Sequence, residues 1–127
     1  MAVYANLRAQ ALADTALNAA IAGRFGPGEL PYESALPAVR YFQVSGPPAD
    51  EVPALYRERW QFNVWGATYS EAKDTARLVV AAFCDGWTNK SGTPKVLWGR
   101  KLNELDAREE TTDRWRAVVD IELLVGG

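Results

Sequence analysis

Residues 114–125 alternate more cleanly than any other part of the chain. Trp115, Ala117, Val119, Ile121, Leu123 and Val125 fall on one side, and Arg114, Arg116, Asp120 and Glu122 on the other. Successive side chains of an extended strand point to opposite faces, so this stretch is half wet and half dry. A strand of that kind needs a sheet around it and a layer over its apolar face. Residues 55–65 repeat the pattern: Tyr56, Trp60, Phe62 and Val64 share a side, with Glu58 the exception, opposite Arg57, Arg59, Gln61 and Asn63. Two further strands are expected over 38–44, where Val39, Tyr41 and Gln43 oppose Arg40, Phe42 and Val44, and over 95–102.

Two helices can supply the covering layer. In the first, over 4–22, Ala9, Leu12, Ala13, Ala16, Leu17 and Ala20 make one stripe, with Asn6, Gln10, Asp14 and Asn18 on the wet side and Gly23 as its stop. The second, from Tyr69 to Phe83 or Cys84, opens on Thr68 and Glu71, a spacing that lets hydroxyl and carboxylate cap free backbone donors. Its stripe is Tyr69, Ala72, Ala76, Val79, Val80 and Phe83. Residues 26–37 read as a long surface loop, 45–53 as an exposed Pro-rich connection, 87–94 as a polar turn region and 103–113 as an acidic run. The expected fold is α+β: a four-stranded, mainly antiparallel sheet with two helices on one face, in the order α-β-β-α-β-β, as one domain over 1–127.

The residue inventory excludes much chemistry. The 127 residues contain no histidine and a single cysteine, Cys84, which reads as a small buried residue. The commonest general base, the commonest transition-metal ligand and an internal disulfide are thereby absent. Gly26-Pro27-Gly28 is a turn rather than a phosphate loop. We therefore expect no catalytic residue, no metal and no cofactor, although paired carboxylates leave a carboxylate-dependent enzyme or a small-ligand-binding domain as a distant alternative. The net charge of -2 does not suggest a general nucleic-acid or membrane binder. No apolar stretch is long enough to span a bilayer, and the start lacks a signal-peptide pattern, so a cytoplasmic place of assembly is expected.

Gln61 to Ala72, with Phe62-Asn63-Val64-Trp65 leading through Gly66-Ala67-Thr68-Tyr69-Ser70 into Glu71-Ala72, resembles the tail terminator (tail completion) proteins of long-tailed bacteriophages. The early helix, the Pro-rich lead Leu36-Pro37-Ala38-Val39 and the closing strand match that family's element order. The resemblance implies a structural virion protein at the tail–neck junction. It would be a homohexameric ring that caps the tail tube, contacts the tube protein and the head–tail connector protein, and passes DNA without binding it specifically. A neck or head-closure connector protein is the alternative reading.

Candidate interface residues follow from that setting. Arg57, Arg59, Arg114 and Arg116 form a basic patch if their two strands are neighbours. That patch is either an intersubunit ion-pair surface or a solvated sheet face. The acidic run, with Glu104, Asp106, Glu109 and Glu110, either meets that patch on the next copy, lines a DNA channel, or is a solvated loop. Trp65 either anchors a neighbouring subunit or packs beneath the connection 46–53. Trp98 and Trp87 have the same two options, with a core position favoured for Trp98, and Trp60 and Trp115 belong to the core.

Overall fold

A computed structural model of the chain describes residues 4–31, 34–46, 55–84, 95–109 and 113–126. The elements run α1 (Tyr4–Ala13), α2 (Thr15–Ile21), β1 (Phe25–Pro27), β2 (Ala38–Ser45), β3 (Leu55–Gly66), α3 (Tyr69–Cys84), β4 (Lys95–Glu109) and β5 (Arg114–Gly126). The sheet has five strands in the order β1-β2-β3-β5-β4. β1 pairs with β2 in parallel, and the other three pairings are antiparallel. All three helices contribute to the hydrophobic core on one face of the sheet, which we call the inner face.

The expected α+β class holds, and so does the single covered face. The order differs because three features lie outside simple periodicity. First, the expected helix over 4–22 is two helices. Asp14 is extended (φ -76, ψ 111), and its carboxylate accepts from the Leu17 backbone N–H at 2.9 Å as an N-cap. The break shifts the apolar phase. Leu7 and Ala11 are buried in α1, whereas Leu17 and Ile21 are buried in α2. At about 100° per residue, six positions from Ala11 to Leu17 would miss a common stripe on one continuous helix. Ala9, Ala13 and Ala16 are exposed instead, and Gln10 is not on the wet side but donates to the Ala82 carbonyl at 3.0 Å.

Second, the expected loop over 26–37 begins inside a strand. Phe25, Gly26 and Pro27 pair with Val39, Arg40 and Tyr41, fixed further by Arg24 donating from Nε to the Pro37 carbonyl at 2.9 Å. Third, the strand expected to end at Leu102 continues to Glu109, so the acidic run is mostly strand rather than loop. β4 pairs along its length with β5 and carries irregularities at Val96/Trp98 and Lys101/Asn103.

α3 forms the main cover of the sheet. Ala72, Thr75, Ala76, Val79, Ala82 and Phe83 are buried against Trp60, Phe62, Val64, Val119 and Ile121. The Phe83 ring stacks on Phe62 at 5.2 Å, and Phe25 joins the same cluster at 6.1 Å from Phe83. Two glycines permit the close approach. A Cβ on Gly66 would lie 2.5 Å from the Ala72 backbone nitrogen, and one on Gly99 would lie 2.3 Å from the Phe83 carbonyl oxygen. Thr68 Oγ1 accepts from the Glu71 N–H at 3.1 Å, while the Glu71 carboxylate accepts from the Ala67 N–H at 2.9 Å, one residue earlier than a reciprocal capping box requires.

Tyr69, expected in the buried stripe, is 47% exposed. Glu58, the polar exception on the inner face, is buried and accepts from Trp60 Nε1 at 2.9 Å. Burial of its carboxylate, partly offset by that hydrogen bond, pushes its pKa up.

Phe83→Ala is expected to cost about 3–5 kcal/mol of folding stability, since the ring is fully buried and stacked. Urea denaturation of the two proteins checks this; a loss below about 1 kcal/mol would contradict the packing described.

Candidate interaction surface

The outer face of the sheet has no helix over it among the described residues. β3 does lie beside β5, but the antiparallel register keeps the two arginine pairs apart: Arg57 and Arg59 face Leu124 and Glu122, whereas Arg116 faces Trp65 at the other end of the strands, so the four share a face without forming the expected single basic patch. The registers set Arg40 and Phe42 of β2, Trp65 of β3, and Trp98, Arg100, Leu105 and Glu109 of β4 on the same side, while Val44 sits at an irregularity between Gln43 and Ser45. Exposed hydrophobic side chains mark it: Phe42 is 45% exposed and Leu105 58%.

The arginines do not form a bare cationic patch. Arg59 Nη2 lies 2.6 Å from Asp120 Oδ2, and Gln61 Nε2 donates to Oδ1 of the same carboxylate at 3.3 Å. Glu122 receives Arg100 at 3.1 Å, with Arg57 at 3.9 Å. Arg114 Nη2 donates to Glu109 at 3.0 Å. Arg100–Glu122 and Arg114–Glu109 are at facing positions of β4 and β5, where opposite charges stabilise a sheet by about 0.2–1 kcal/mol each, and Arg59–Asp120 and Arg57–Glu122 reach diagonally from β3 to β5. Even so, cations outnumber carboxylates on this face: Arg40, Arg57, Arg59, Arg100, Arg114 and Arg116 against Glu109, Asp120 and Glu122.

At one end the face deepens into a groove. Its volume is about 580 Å³, and its floor and walls include Gln61, Asn63, Trp65, Phe42, Arg114, Arg116 and residues 28–30. Trp65 is buried beneath two guanidinium groups, Arg114 at 4.7 Å and Arg116 at 5.2 Å from the ring centroid. Each such contact contributes about 0.5–2 kcal/mol, the upper end applying when water is excluded. The tryptophan is therefore covered by its own chain's arginines. The connection 47–54 that might have covered it lies outside the described residues.

The acidic run divides between the two faces. Glu104 and Asp106 point to the inner face, where Lys73 of α3 pairs with both, at 3.0 Å from Asp106. Tyr69 donates its hydroxyl to Asp106, also at 3.0 Å. This cluster fastens α3 to β4. Glu109 faces outward with Arg114, and Glu110 lies outside the described residues, as does Trp87. Trp98 is not a core residue; it is half-buried on the outer face beside Arg100, at 5.8 Å. Trp115 is half-buried on the inner face, under Tyr69 in an edge-to-face contact at 5.3 Å and Arg108 at 5.8 Å.

The Lys73 hydrogen bond to Glu104, then that to Asp106, pushes the ammonium pKa up to about 12. Lys73 in turn holds the Glu104 and Asp106 carboxyls below their usual values, with the Tyr69 hydroxyl adding to the effect at Asp106. Among the described residues no group of three or more His, Cys, Asp or Glu is placed to hold a metal ion, and no helix is long and apolar enough to cross a membrane.

Among the described residues the sheet face carries arginines, carboxylates and an aromatic groove, and no reaction centre is assembled. Among known proteins, a family model described as tail completion protein gp17 matches residues 5–126. The chain belongs to the tail completion protein gp17 family. As a member it is a structural protein of the phage virion, associated with the tail, and not an enzyme. The same fold occurs in a chain of the virion of a native gene transfer agent particle, with a TM-score of 0.75 and 21% identity, over 99% of this chain and 96% of that one. None of the curated proteins matches the chain. Within this tail completion protein, the earlier resemblance rested on Gln61 to Ala72, the segment that ends β3 on Trp65 and starts α3.

The inner-face cluster yields a test. Depressed carboxylates stabilise the fold above their ordinary titration range and lose that contribution as pH falls through the depressed values. The raised lysine contributes below its ordinary 10.5 and loses its contribution as pH rises through about 12. Lys73→Met should therefore cost up to about 1 kcal/mol at pH 7, and the difference should shrink towards zero near pH 2. Urea denaturation at both pH values checks this; an equal loss at both would contradict the electrostatic account.

Proposed function

We propose that this tail completion protein forms a closed homohexameric ring that ends the tail tube and joins it to the head connector. The observation that carries this reading is the open outer face of the sheet in a protein of this family. Phe42 on β2 and Leu105 on β4 are exposed at the two sides of this face, with the charged and polar side chains of β3 and β5 between them, which suits a mixed polar and apolar contact with another chain. A ring needs two different patches that meet head to tail. The outer face, with Arg57, Arg59, Trp65, Arg114, Arg116 and Glu109, supplies one of them. Glu104 and Asp106 are engaged with Lys73, so the opposing patch draws on carboxylates other than these two. The chain acts as one domain, needs no cofactor, and lets DNA pass through the ring without specific contacts.

The test is the phenotype of particles assembled without the protein. A ring that stops tube growth predicts tails of uncontrolled length that fail to join filled heads. Tails of uniform length beside heads that have lost their DNA would instead mark a head-closure protein and overturn the terminator reading.

A further inference from the structure

Among the described residues Glu58 is the one carboxylate buried on the inner face, at 9% exposed. It accepts from Trp60 Nε1 at 2.9 Å and has no ion pair among them. Each element packed against it leaves it so. On β5 it faces Leu123. The buried side chains of α1, α2 and α3 are apolar except Thr75, and Lys73, the half-buried cation of α3, is engaged by Glu104 and Asp106. On its own strand Tyr56 is the titratable neighbour that senses its charge. One neutral donor does not replace the water an ionised carboxylate loses on burial, so the closed fold favours the neutral acid.

The cover over Glu58 is thin on one side. The β2–β3 ladder ends at Ser45 and Arg59, just past an irregularity between Gln43 and Ser45, so Glu58 has a paired strand on its β5 side and only the exit of β2 on the other. There Gln43 Nε2 donates to the Ser45 carbonyl at 3.3 Å. Gly46 lies so near that an added Cβ would stand 2.5 Å from Gln43 Nε2 and 3.5 Å from Glu58 Cγ. A strand end held by few hydrogen bonds and open to solvent is where a fold opens first. We propose that Glu58 is a proton-operated latch for this end of the sheet: the neutral acid lets Ser45 and Gly46 close over it, and the carboxylate regains water by lifting them. Burial raises the Glu58 pKa above its ordinary 4.5, with the Trp60 hydrogen bond opposing. The latch's contribution to closure is therefore complete below 4.5, falls as pH rises from there to the raised value, and changes no further above it. Val44, 45% exposed at the irregularity, belongs to the segment that loosens, so the proton sets how firmly this margin is presented to other chains.

The experiment follows amide hydrogen exchange of the full chain by NMR at several pH values from 4.5 upwards, corrected for the intrinsic rate at each. Protection of the amides of 43–45 and 58–60 should fall by up to about tenfold per pH unit above 4.5 and then level off, while Val119 and Ile121 in the core keep theirs. The Glu58 carboxyl carbon should titrate above 4.5 in the same samples. Glu58→Gln should make the protection of both segments independent of pH. Trp60→Phe, which removes the indole donor that favours the charged form, should carry both the titration and the loss of protection to higher pH. A carboxyl that titrates at or below 4.5, protection that does not change with pH in the wild-type chain, or a fall that persists in Glu58→Gln would overturn the proposal.

Discussion

Everything in this fold depends on the contact between α3 and the inner face of the sheet. The helix lies over β3 and β5 with Phe83 stacked on Phe62, and it comes so near the strands that only glycine fits at 66 and 99. That contact removes from water the apolar sides of the two most strongly alternating strands, the largest favourable term in a domain of this size. α1 and α2 extend the same layer over β1 and β2 through Leu7, Leu17 and Ile21. Lys73 then fastens the helix to β4, the outermost strand, whose own inward side chains are mostly polar.

Among the described residues all three helices lie on one side of the sheet, and the other side carries the alternate strand side chains. The outer side chains of β3 and β5 are a mixture of arginines, carboxylates, amides and apolar residues, with Arg59 opposite Glu122 and Gln61 opposite Asp120, and cross-strand pairs of this kind stabilise a sheet face in water. Long arginine stems lie along the sheet and bury their methylenes while their heads stay available. The groove and the exposed Phe42 and Leu105 lie on this side.

The sequence declared some of this and concealed the rest for identifiable reasons. The faces of β3 and β5 are legible because period-two alternation is strong there, but the register is not: it sets Arg57 and Arg59 opposite Leu124 and Glu122, away from Arg114 and Arg116. The parallel pairing of Phe25 to Pro27 with β2 was hidden. Three residues carry too little pattern, and the neighbouring prolines and glycines signal a turn. The Asp14 break was available in the Asp14-Thr15 pair, a helix-start signal inside a helical stripe, but alanine-rich flanks fit several phases equally well. The acidic run was misread as loop because its charges suggest solvent. Half of them in fact face α3, where Lys73 answers Glu104 and Asp106, a pairing between residues about thirty positions apart that no local window contains. For the candidate surface, the arginines and Trp65 were found by residue type and strand face. The groove, its Gly28 to Leu30 wall and the stacking of Arg114 and Arg116 on Trp65 needed the fold.

The central claim is that the open face of this sheet is where one copy meets the next at the end of the tail. A reconstruction of the particle at the junction of tail and head, resolved well enough to trace side chains, tests it most directly. The account predicts a closed ring of six copies between tube and connector, with the outer sheet face of each covered by its neighbour. A ring in which that face and its groove lie open to solvent in every copy, or particles in which the chain occupies no ring at that junction, would contradict it.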